Sequence, residues 1–462
     1  MELLPDDVLV EVMKYLDVPS LMTCRLVCKR LGGLALHPDA WRDRYLPASG
    51  PVPACAVLRL APCLEGMSVK LQSAKCILAY TTTRCAVSRL LLEVAGSHGL
   101  HAALIIRNQE ALGRLRCVEV EFCAPRVARA DVSVLWGTVA ATRGLEQLHL
   151  DCPGLTVRHM DSLTSHCTPP RPSLKYIQAE LSSKSQNFNN LVLSAHAPTL
   201  DLVHISNHSY GRCPTSTATA TILAGMPNLR QLYCPLQLPG LEAVAACESL
   251  RELHLHVCAK TEVQDVAGAA GLLRRATQLR ELNVHYDCDP DEIAYKYGYD
   301  ETIFQDLIAE LVRALASSGR SRIESLAVWD PDTFEDDTFP SLRQLLAALP
   351  SLKHLRHLRL QAAPDELLLG ITPDTAPALQ RLALRLRSVD YPPCAHAWLH
   401  RDAVKQVLSV NPSLELFVTP MRLYCSQGAC VACALGCHLR LWDSIQKEFC
   451  LFDDEWILIP RG

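Results

Sequence analysis

The chain has 462 residues, of which 49% are hydrophobic and 20% charged, and its formal net charge is −4. This composition supplies enough apolar surface for an extended core. The slight negative charge argues against a general affinity for nucleic acid, which requires many Lys and Arg side chains directed at phosphates. The acidic start, without a basic segment and a following apolar run, predicts no signal peptide, and we find no unbroken apolar stretch long enough to predict a membrane span.

The chain contains 21 cysteines, spread along its length and often placed inside leucine-rich segments. A secreted protein of this kind would carry disulfides, but the pattern here favours buried, reduced thiols. We therefore expect an intracellular protein, cytoplasmic or nuclear.

Two short amphipathic helices are predicted at the N-terminus. Pro5 suits a first helical turn, and Asp6 and Asp7 lie where the positive end of a helix dipole favours acidic residues. Apolar residues then recur with a period close to 3.6 and predict one stripe. The segment 17–19 is expected to end the first helix and start the second, which Gly32 and Gly33 are expected to end.

An ordered series of residues runs through these helices, and it resembles the F-box family. The matching residues are Leu4-Pro5, Val8-Leu9, Tyr15-Leu16-Asp17, Pro19, Leu21, Val27-Cys28-Lys29-Arg30 and Trp41. The chain departs from the family pattern at Val12 and Leu31, which keep an apolar side chain. The resemblance implies binding to the adaptor subunit of SCF-type ubiquitin ligases and, through it, to the cullin and RING subunits. The expected adaptor-binding residues are Leu4, Pro5, Val8, Leu9, Val12, Met13, Leu16, Pro19, Leu21, Leu26, Val27, Cys28 and Trp41. A helical cap on a larger domain is the alternative.

Beyond a Pro-rich linker, eleven segments repeat the pattern L-x-x-L-x-L, with other apolar residues allowed. Most begin 21 to 32 residues apart, and two gaps of 44 and 35 residues suggest insertions. Each unit predicts a strand whose leucines point inward, followed by a returning helix such as 303–315, so that stacked units share one core. The segments begin at Leu115, Leu145, Leu174, Leu200, Leu229, Leu250, Leu279, Ile323, Leu355, Leu379 and Leu414, and the last is read as Leu414-Phe417.

The predicted fold is therefore α/β, with an F-box-like helical module followed by a leucine-rich-repeat solenoid shaped as a horseshoe. The predicted boundaries are 1–46 for the module, 47–54 for the linker, 55–420 for the solenoid and 421–462 for a Cys-rich cap and tail. A twelfth, degenerate repeat is predicted near 90–94, and a helical repeat array is the alternative. In the repeat pattern a Cys such as Cys123 or Cys258 is expected to hydrogen-bond the turn after the strand.

Side chains between the inward leucines are expected to form a wall that changes from acidic to His-rich to basic along the chain. In the last repeats we expect an acidic or phosphorylated segment of a client protein to bind an aromatic anchor and a cationic cluster, since Arg grips carboxylate or phosphate with two hydrogen bonds. These residues are Trp329, His357, Arg359, Arg381 and Arg385. Alternatively, these exposed positions are simply polar, and Trp329 packs on an insertion.

Two clusters raise the question of metal binding. The histidine column of the middle repeats is more typical of solvated side chains, and we expect no metal there. Near the C-terminus, Cys425, Cys430, Cys433 and Cys437 have a spacing compatible with zinc or an iron–sulfur cluster, although reduced cysteines in a cap are the favoured interpretation. No cofactor is expected. The inserted segment 287–301, rich in acidic residues and tyrosines, is either a contact element or a spacer.

No phosphate-binding glycine loop, nucleophile elbow or H-E-x-x-H helix is found, which argues against an enzyme. A catalytic site built from residues far apart in the sequence is the alternative. We expect a non-catalytic substrate receptor of an SCF-type ubiquitin ligase whose repeats bind the protein to be ubiquitinated. A leucine-rich-repeat scaffold protein without a ubiquitin ligase role is the alternative.

Overall fold

The computed structural model describes most of the chain as two compact units. The N-terminal unit comprises residues 1–215 and 226–228, and the C-terminal unit comprises 216–225 and 229–462. The predicted boundaries of the module, the linker and the solenoid, at 46, 54 and 420, stay predictions. The described residues are 4–50, 52–123, 129–151, 171–181, 185–206, 216–257, 261, 265–286, 301–329, 342–361, 365–385, 398, 400–419, 447–449 and 455–459.

Four short helices open the N-terminal unit. They are α1 (Asp6–Met13), α2 (Val18–Val27), α3 (Lys29–Leu34) and α4 (Pro38–Trp41). The predicted boundary between the first two helices is confirmed, because the Asp17 carboxylate accepts the N–H of Ser20 at 2.8 Å and so caps α2.

The predicted end of the second helix is wrong. The chain breaks at Cys28, whose backbone is extended, and the Cys28 Sγ accepts the N–H of Leu31 at 3.5 Å to begin α3. Gly32 and Gly33 lie inside α3. A Cβ at Gly32 would lie 3.1 Å from the carbonyl oxygen of Arg25, so this glycine lets α2 and α3 approach closely instead of ending a helix.

The N-terminal unit continues as parallel strands alternating with helices. Each strand pairs in parallel with the next one along the chain. The strands are β1 (Tyr45–Leu46), β2 (Cys63–Lys70), β3 (Ala86–Val94), β4 (Cys117–Phe122), β5 (Gln147–Asp151), β6 (Tyr176–Glu180) and β7 (Leu202–Ser206). The helices are Ala54–Leu60, Ile77–Thr82, Gly99–Ala111, Arg129–Ala141 and Gln186–His196, with a 3₁₀ turn at Leu71–Ser73.

The C-terminal unit has the same alternation, again with parallel pairing between successive strands. Its strands are β8 (Gln231–Pro235), β9 (Glu252–Val257), β10 (Glu281–Tyr286), β11 (Ser325–Trp329), β12 (His357–Leu360), β13 (Arg381–Arg385) and β14 (Glu415–Thr419). Its helices are Ala218–Ala224, Val266–Arg275, Glu301–Ser317, Leu342–Ala348, Asp365–Gly370 and Asp402–Val410, with 3₁₀ segments at Leu241–Ala246 and Leu349–Ser351.

A ladder of leucines forms the core of the C-terminal unit. One leucine from each strand is paired in register with the leucine of the next strand, and each is at most 1% exposed. Full burial of such a side chain contributes about 1.5–3 kcal/mol. The ladder consists of Leu232, Leu253, Leu282, Leu326, Leu358, Leu382 and Leu416.

All eleven predicted strands are present, and the degenerate repeat near 90–94 is β3. The reading of the last segment as Leu414-Phe417 is wrong by one residue, because Leu416 pairs with Leu382 and Val418 with Leu384. Phe417 belongs to the opposite face. Two strands, β1 and β2, precede the first predicted repeat and were not predicted. The alternation supports a repeat architecture, while the leucine-rich-repeat assignment stays a prediction.

The helix predicted at 303–315 is confirmed as Glu301–Ser317, but the acidic, tyrosine-rich segment before it lies outside the described residues. The C-terminal tail pairs with the last parallel strand. β16 (Glu455–Leu458) is antiparallel to β14 and to β15 (Lys447–Phe449), and the N–H of Ile459 donates to Leu416 at 2.7 Å. This pairing covers backbone groups of β14 that would otherwise form an open sheet edge.

The hydrogen bonds to backbone groups near the strands come from buried amide side chains, rather than from a cysteine as expected. Gln109 is 0% exposed; its Oε1 accepts the N–H of Val87 at 2.9 Å and its Nε2 donates to the Cys85 carbonyl at 3.1 Å. The expected role of Cys123 is wrong, because its thiol is exposed. Cys258 lies outside the described residues.

No helix in the described parts of the chain is both long enough and apolar enough to cross a membrane. The ten described cysteines are free thiols. Burial raises the pKa of Cys85 to about 12 and that of Cys117 to about 11, so both thiols stay protonated at neutral pH.

His196 fixes the turn that leads into β6. Its Nδ1 accepts the backbone N–H groups of Ser173 and Leu174 at 3.1 and 3.3 Å, and the side chain is 4% exposed. Burial lowers the pKa of His196 from 6.5 to about 4. The folded state therefore binds this proton less readily than the unfolded chain does.

We predict that His196 makes the protein less stable as the pH falls from 6.5 to about 4, with a slope of up to about 1.4 kcal/mol per pH unit. The free energy of unfolding, measured in urea at pH 7 and pH 4.5, should depend less on pH in the His196→Asn variant. His37→Asn, at an exposed position, is the control. The same pH dependence in wild type and His196→Asn would contradict this assignment.

Candidate functional site

The N-terminal helices divide the predicted apolar stripe between an interior and a surface. Leu9, Met13, Leu21 and Trp41 are at most 4% exposed, and Val10, which was not in the predicted set, is also buried. The Trp41 Nε1 donates to the carbonyl of Ala35 at 2.7 Å. These side chains form the small core of the helices, so they position the surface and are not free to contact a partner without rearrangement.

The other predicted residues line the outside of the helices. Val12 is 52% exposed, Leu26 86% and Val27 62%. Pro5 and Cys28 are also exposed, and Leu16 and Pro19 are half-buried. Tyr15, which the predicted contact set omitted, is 83% exposed and follows Val12 by three residues. We call the exposed apolar set the module face; it consists of Leu4, Val8, Val12, Tyr15, Leu26 and Val27.

Two arginines hold the module face in place. Arg30, at the start of α3, bonds the Asp6 carboxylate at 2.7–2.8 Å and the carbonyl of Leu4, and so brings the α2–α3 junction beside the start of α1. Arg44 donates through Nη2 to the Met13 carbonyl at 2.7 Å and through Nε to the Ala40 carbonyl at 2.6 Å. It therefore links the end of α1 to α4 and gives the Met13 carbonyl a second donor beside the N–H of Leu16, which lies at 3.2 Å.

We predict that Arg44→Met loosens α1, because the Met13 carbonyl keeps the N–H of Leu16 but loses the Arg44 donor, and with it the link to α4. The expected loss of stability is about 1–3 kcal/mol, with faster amide hydrogen exchange in residues 9–13. Arg42→Met is the matched control. Among the described residues, the Arg42 side chain forms only a surface ion pair with Asp39 at 2.8 Å, which is worth at most about 1 kcal/mol. Equal effects of the two substitutions would show that Arg44 has no special role.

The strands of the C-terminal unit also carry a polar face opposite the leucine ladder. Strand pairing places its residues in rows across neighbouring strands. The first row is Gln231, Glu252, Glu281, Ser325, His357, Arg381 and Glu415, and the second is Tyr233, His254, Asn283, Ala327, Arg359, Ala383 and Phe417. Trp329 pairs with His285, and Arg385 pairs with Thr419.

The predicted client-binding residues all lie on this polar face. His357 and Arg381 are paired neighbours, and Arg359 stands between two alanines, Ala327 and Ala383. Arg381 is partly neutralised, because its Nε donates to Glu415 at 2.8 Å. In the part of the chain that the structure describes, Arg359 forms no ion pair or side-chain hydrogen bond.

The electrostatic environment of this cluster is positive. Burial lowers the pKa of His357, and the positive charges of Arg381 and Arg359 lower it further, while Glu281 acts in the opposite direction. His357 is therefore uncharged at neutral pH. The half-buried Arg359 guanidinium supplies charge that the neighbouring strands do not neutralise, so the cluster suits an anionic group.

The predicted histidine column is engaged in contacts within the polar face. Tyr233 and His254 stack with ring centroids 3.8 Å apart, and Asn283 Nδ2 lies 3.1 Å from the Nδ1 of His254. His256 and His285 meet edge to face at 3.9 Å. Within the described residues no group of three or more His, Cys, Asp or Glu side chains is arranged to hold a metal ion. The cysteines at 425, 430, 433 and 437 lie outside those residues.

Sequence reasoning missed the interior role of Val10 and the exposed position of Tyr15. Helical spacing carries a signal for Tyr15, which lies seven residues after Val8 and therefore on the same face. Arg44 carried no such signal, because its partners, the carbonyls of residues 13 and 40, are set by the tertiary fold.

Comparison with known protein families identifies a match for the N-terminal helices. Residues 1–47 match the family model described as F-box-like. The matched residues include all four helices and the short strand β1. No curated protein sequence matches the chain.

Proposed function

We propose that this protein is a non-catalytic substrate receptor of an SCF-type ubiquitin ligase. The module face binds the adaptor subunit, which connects the chain to the cullin and RING subunits. The polar face of the C-terminal unit binds the client protein. The observation that carries the proposal is a match to an F-box-like domain in which six large apolar side chains are exposed.

Physical chemistry supports a docking role for the module face. Six large apolar side chains between 40% and 86% exposed are concentrated within 24 residues. Full burial of one such side chain contributes about 1.5–3 kcal/mol, so several together can offset the entropic cost of association. The buried side chains of the same helices hold the exposed ones in place.

The first prediction concerns adaptor binding. The double variant Val12→Lys/Leu26→Lys should fold normally, because both positions are exposed, but it should bind the SCF adaptor at least about 100-fold more weakly, from two lost contacts of roughly 1.5 kcal/mol each. Titration calorimetry with the purified adaptor measures the effect.

Leu78→Lys provides the matched control, because Leu78 is a 77% exposed leucine of the same unit outside the module. It should leave adaptor affinity unchanged. If the wild-type chain does not bind the adaptor, the ligase role is excluded and the scaffold interpretation is favoured.

The client surface is proposed to bind an acidic or phosphorylated segment through Arg359, Arg381 and Arg385, with Trp329 and His357 beside them. Arg supports such recognition because its planar guanidinium offers paired donors to carboxylate or phosphate oxygens. The lack of an acceptor for Arg359 within the described chain leaves its donors available to a partner.

We predict that reversing the charge of Arg359, Arg381 and Arg385 to Glu abolishes client ubiquitination while adaptor binding is retained. Quantitative proteomics of ubiquitinated peptides should show that the proteins lost in this triple variant are the same as those lost in Val12→Lys/Leu26→Lys. A triple variant with an unchanged ubiquitination profile would contradict the role of this surface.

A further inference from the structure

A basic cleft of about 390 Å³ opens in the C-terminal unit, beside the turns that lead into β11 and β12. Its cationic lining consists of Arg320, Arg322 and Lys353. His354 adds an imidazole, and Ser321 and Thr277 add hydroxyl groups. No carboxylate is among the described residues that line it. The cleft involves none of the residues of the polar face.

The turn before β11 directs two arginines toward the cleft. The helix Glu301–Ser317 ends in a left-handed glycine, Gly319, at φ +57°. The Ser318 hydroxyl then accepts the N–H of Arg320 at 3.3 Å, and the Ser321 hydroxyl accepts the N–H of Ile323 at 3.4 Å. These bonds fix the backbone on both sides of Arg320 and Arg322.

The acidic residue closest in sequence to Arg322 is engaged elsewhere. Glu324, two residues after Arg322, forms an ion pair with Arg280 at 3.4 Å, and Arg280 also donates to the Arg322 carbonyl at 3.3 Å. In the described part of the chain, neither Arg320 nor Lys353 has a carboxylate partner. The positive charge of the cleft is therefore not neutralised by neighbouring side chains.

Helix ends alone do not account for this concentration of charge. Basic residues are favoured at helix C-termini, which carry roughly half a negative charge each. The helix Glu301–Ser317 and the 3₁₀ turn Leu349–Ser351 both end at the cleft. If both C-terminal ends carry their full partial charge, together they supply about one negative charge. Arg320, Arg322 and Lys353 supply three positive charges, so roughly two positive charges are not balanced by the helix ends.

We propose that this cleft binds a small molecule carrying two or more phosphate groups. A volume of about 390 Å³ lies within the usual range for small-molecule pockets. The lining is cationic and hydroxyl-bearing, so it suits phosphate oxygens rather than an apolar ligand. The two arginine forks can each hold two oxygens, and Lys353 adds a compact charge. This inference is independent of adaptor and client binding.

The experiment uses the full-length chain and inorganic pyrophosphate as the probe. Titration calorimetry should show one site per chain, and the ³¹P signal of pyrophosphate should broaden on addition of protein. The double variant Arg320→Met/Lys353→Met should weaken binding at least about tenfold. All substituted positions are exposed, so the melting temperature should be nearly unchanged.

Arg343→Met/Lys405→Met removes the same charge from exposed positions outside the cleft and should change the affinity less than about twofold. Malonate, with two carboxylates, is the competing dianion. The proposal is overturned if pyrophosphate does not bind, if both double variants weaken binding equally, or if malonate binds as tightly as pyrophosphate.

Discussion

The in-register pairing of parallel strands is the constraint on which both units depend. Because side chains alternate between the two faces of a strand, one register fixes the buried ladder and the polar face together. In the C-terminal unit, alignment of Leu326 with Leu358 also aligns Ser325 with His357 and Ala327 with Arg359. A slip of one residue would bury Arg359 and expose Leu358, so the composition of the polar face follows from the stability of the core.

The strand repeats could be predicted because leucine spacing reports burial directly. Where the prediction failed, another interaction outweighed the pattern. At Phe417 the pattern fits an inward position, but the two flanking residues, Leu416 and Val418, are the ones that continue the core rows. Phe417 is instead 6% exposed on the polar side, with the Arg381 guanidinium 5.6 Å from its ring centroid. An aromatic residue that is buried on the polar face has the same sequence signal as a core residue.

The candidate surfaces were predictable to different degrees. Helical periodicity identifies which residues of α1 and α2 are apolar, but not which of them the short helices bury among themselves. Leu9 and Val8 are adjacent and similar in character, yet Leu9 is 4% exposed and Val8 40%. That difference depends on where α3 and α4 lie, and Arg30 and Arg44 set those positions through contacts distant in sequence. The basic cleft could not be predicted either, because it also depends on contacts distant in sequence: strand pairing brings together turns about 30 residues apart.

Arg44 connects the module to the sheet as well as to its own helices. Its side chain binds the end of α1, while its backbone carbonyl accepts the N–H of Glu65 at 2.9 Å, next to the pairing of β1 with β2. Directly after it, Tyr45 packs against Gly66, where an added Cβ would come within 2.9 Å of the ring. The module is therefore tied to the sheet of the N-terminal unit by the pairing of β1 with β2. A partner bound to that face would be held in a fixed orientation to β2, because reorientation requires breaking both the strand pairing and the Arg44 contacts.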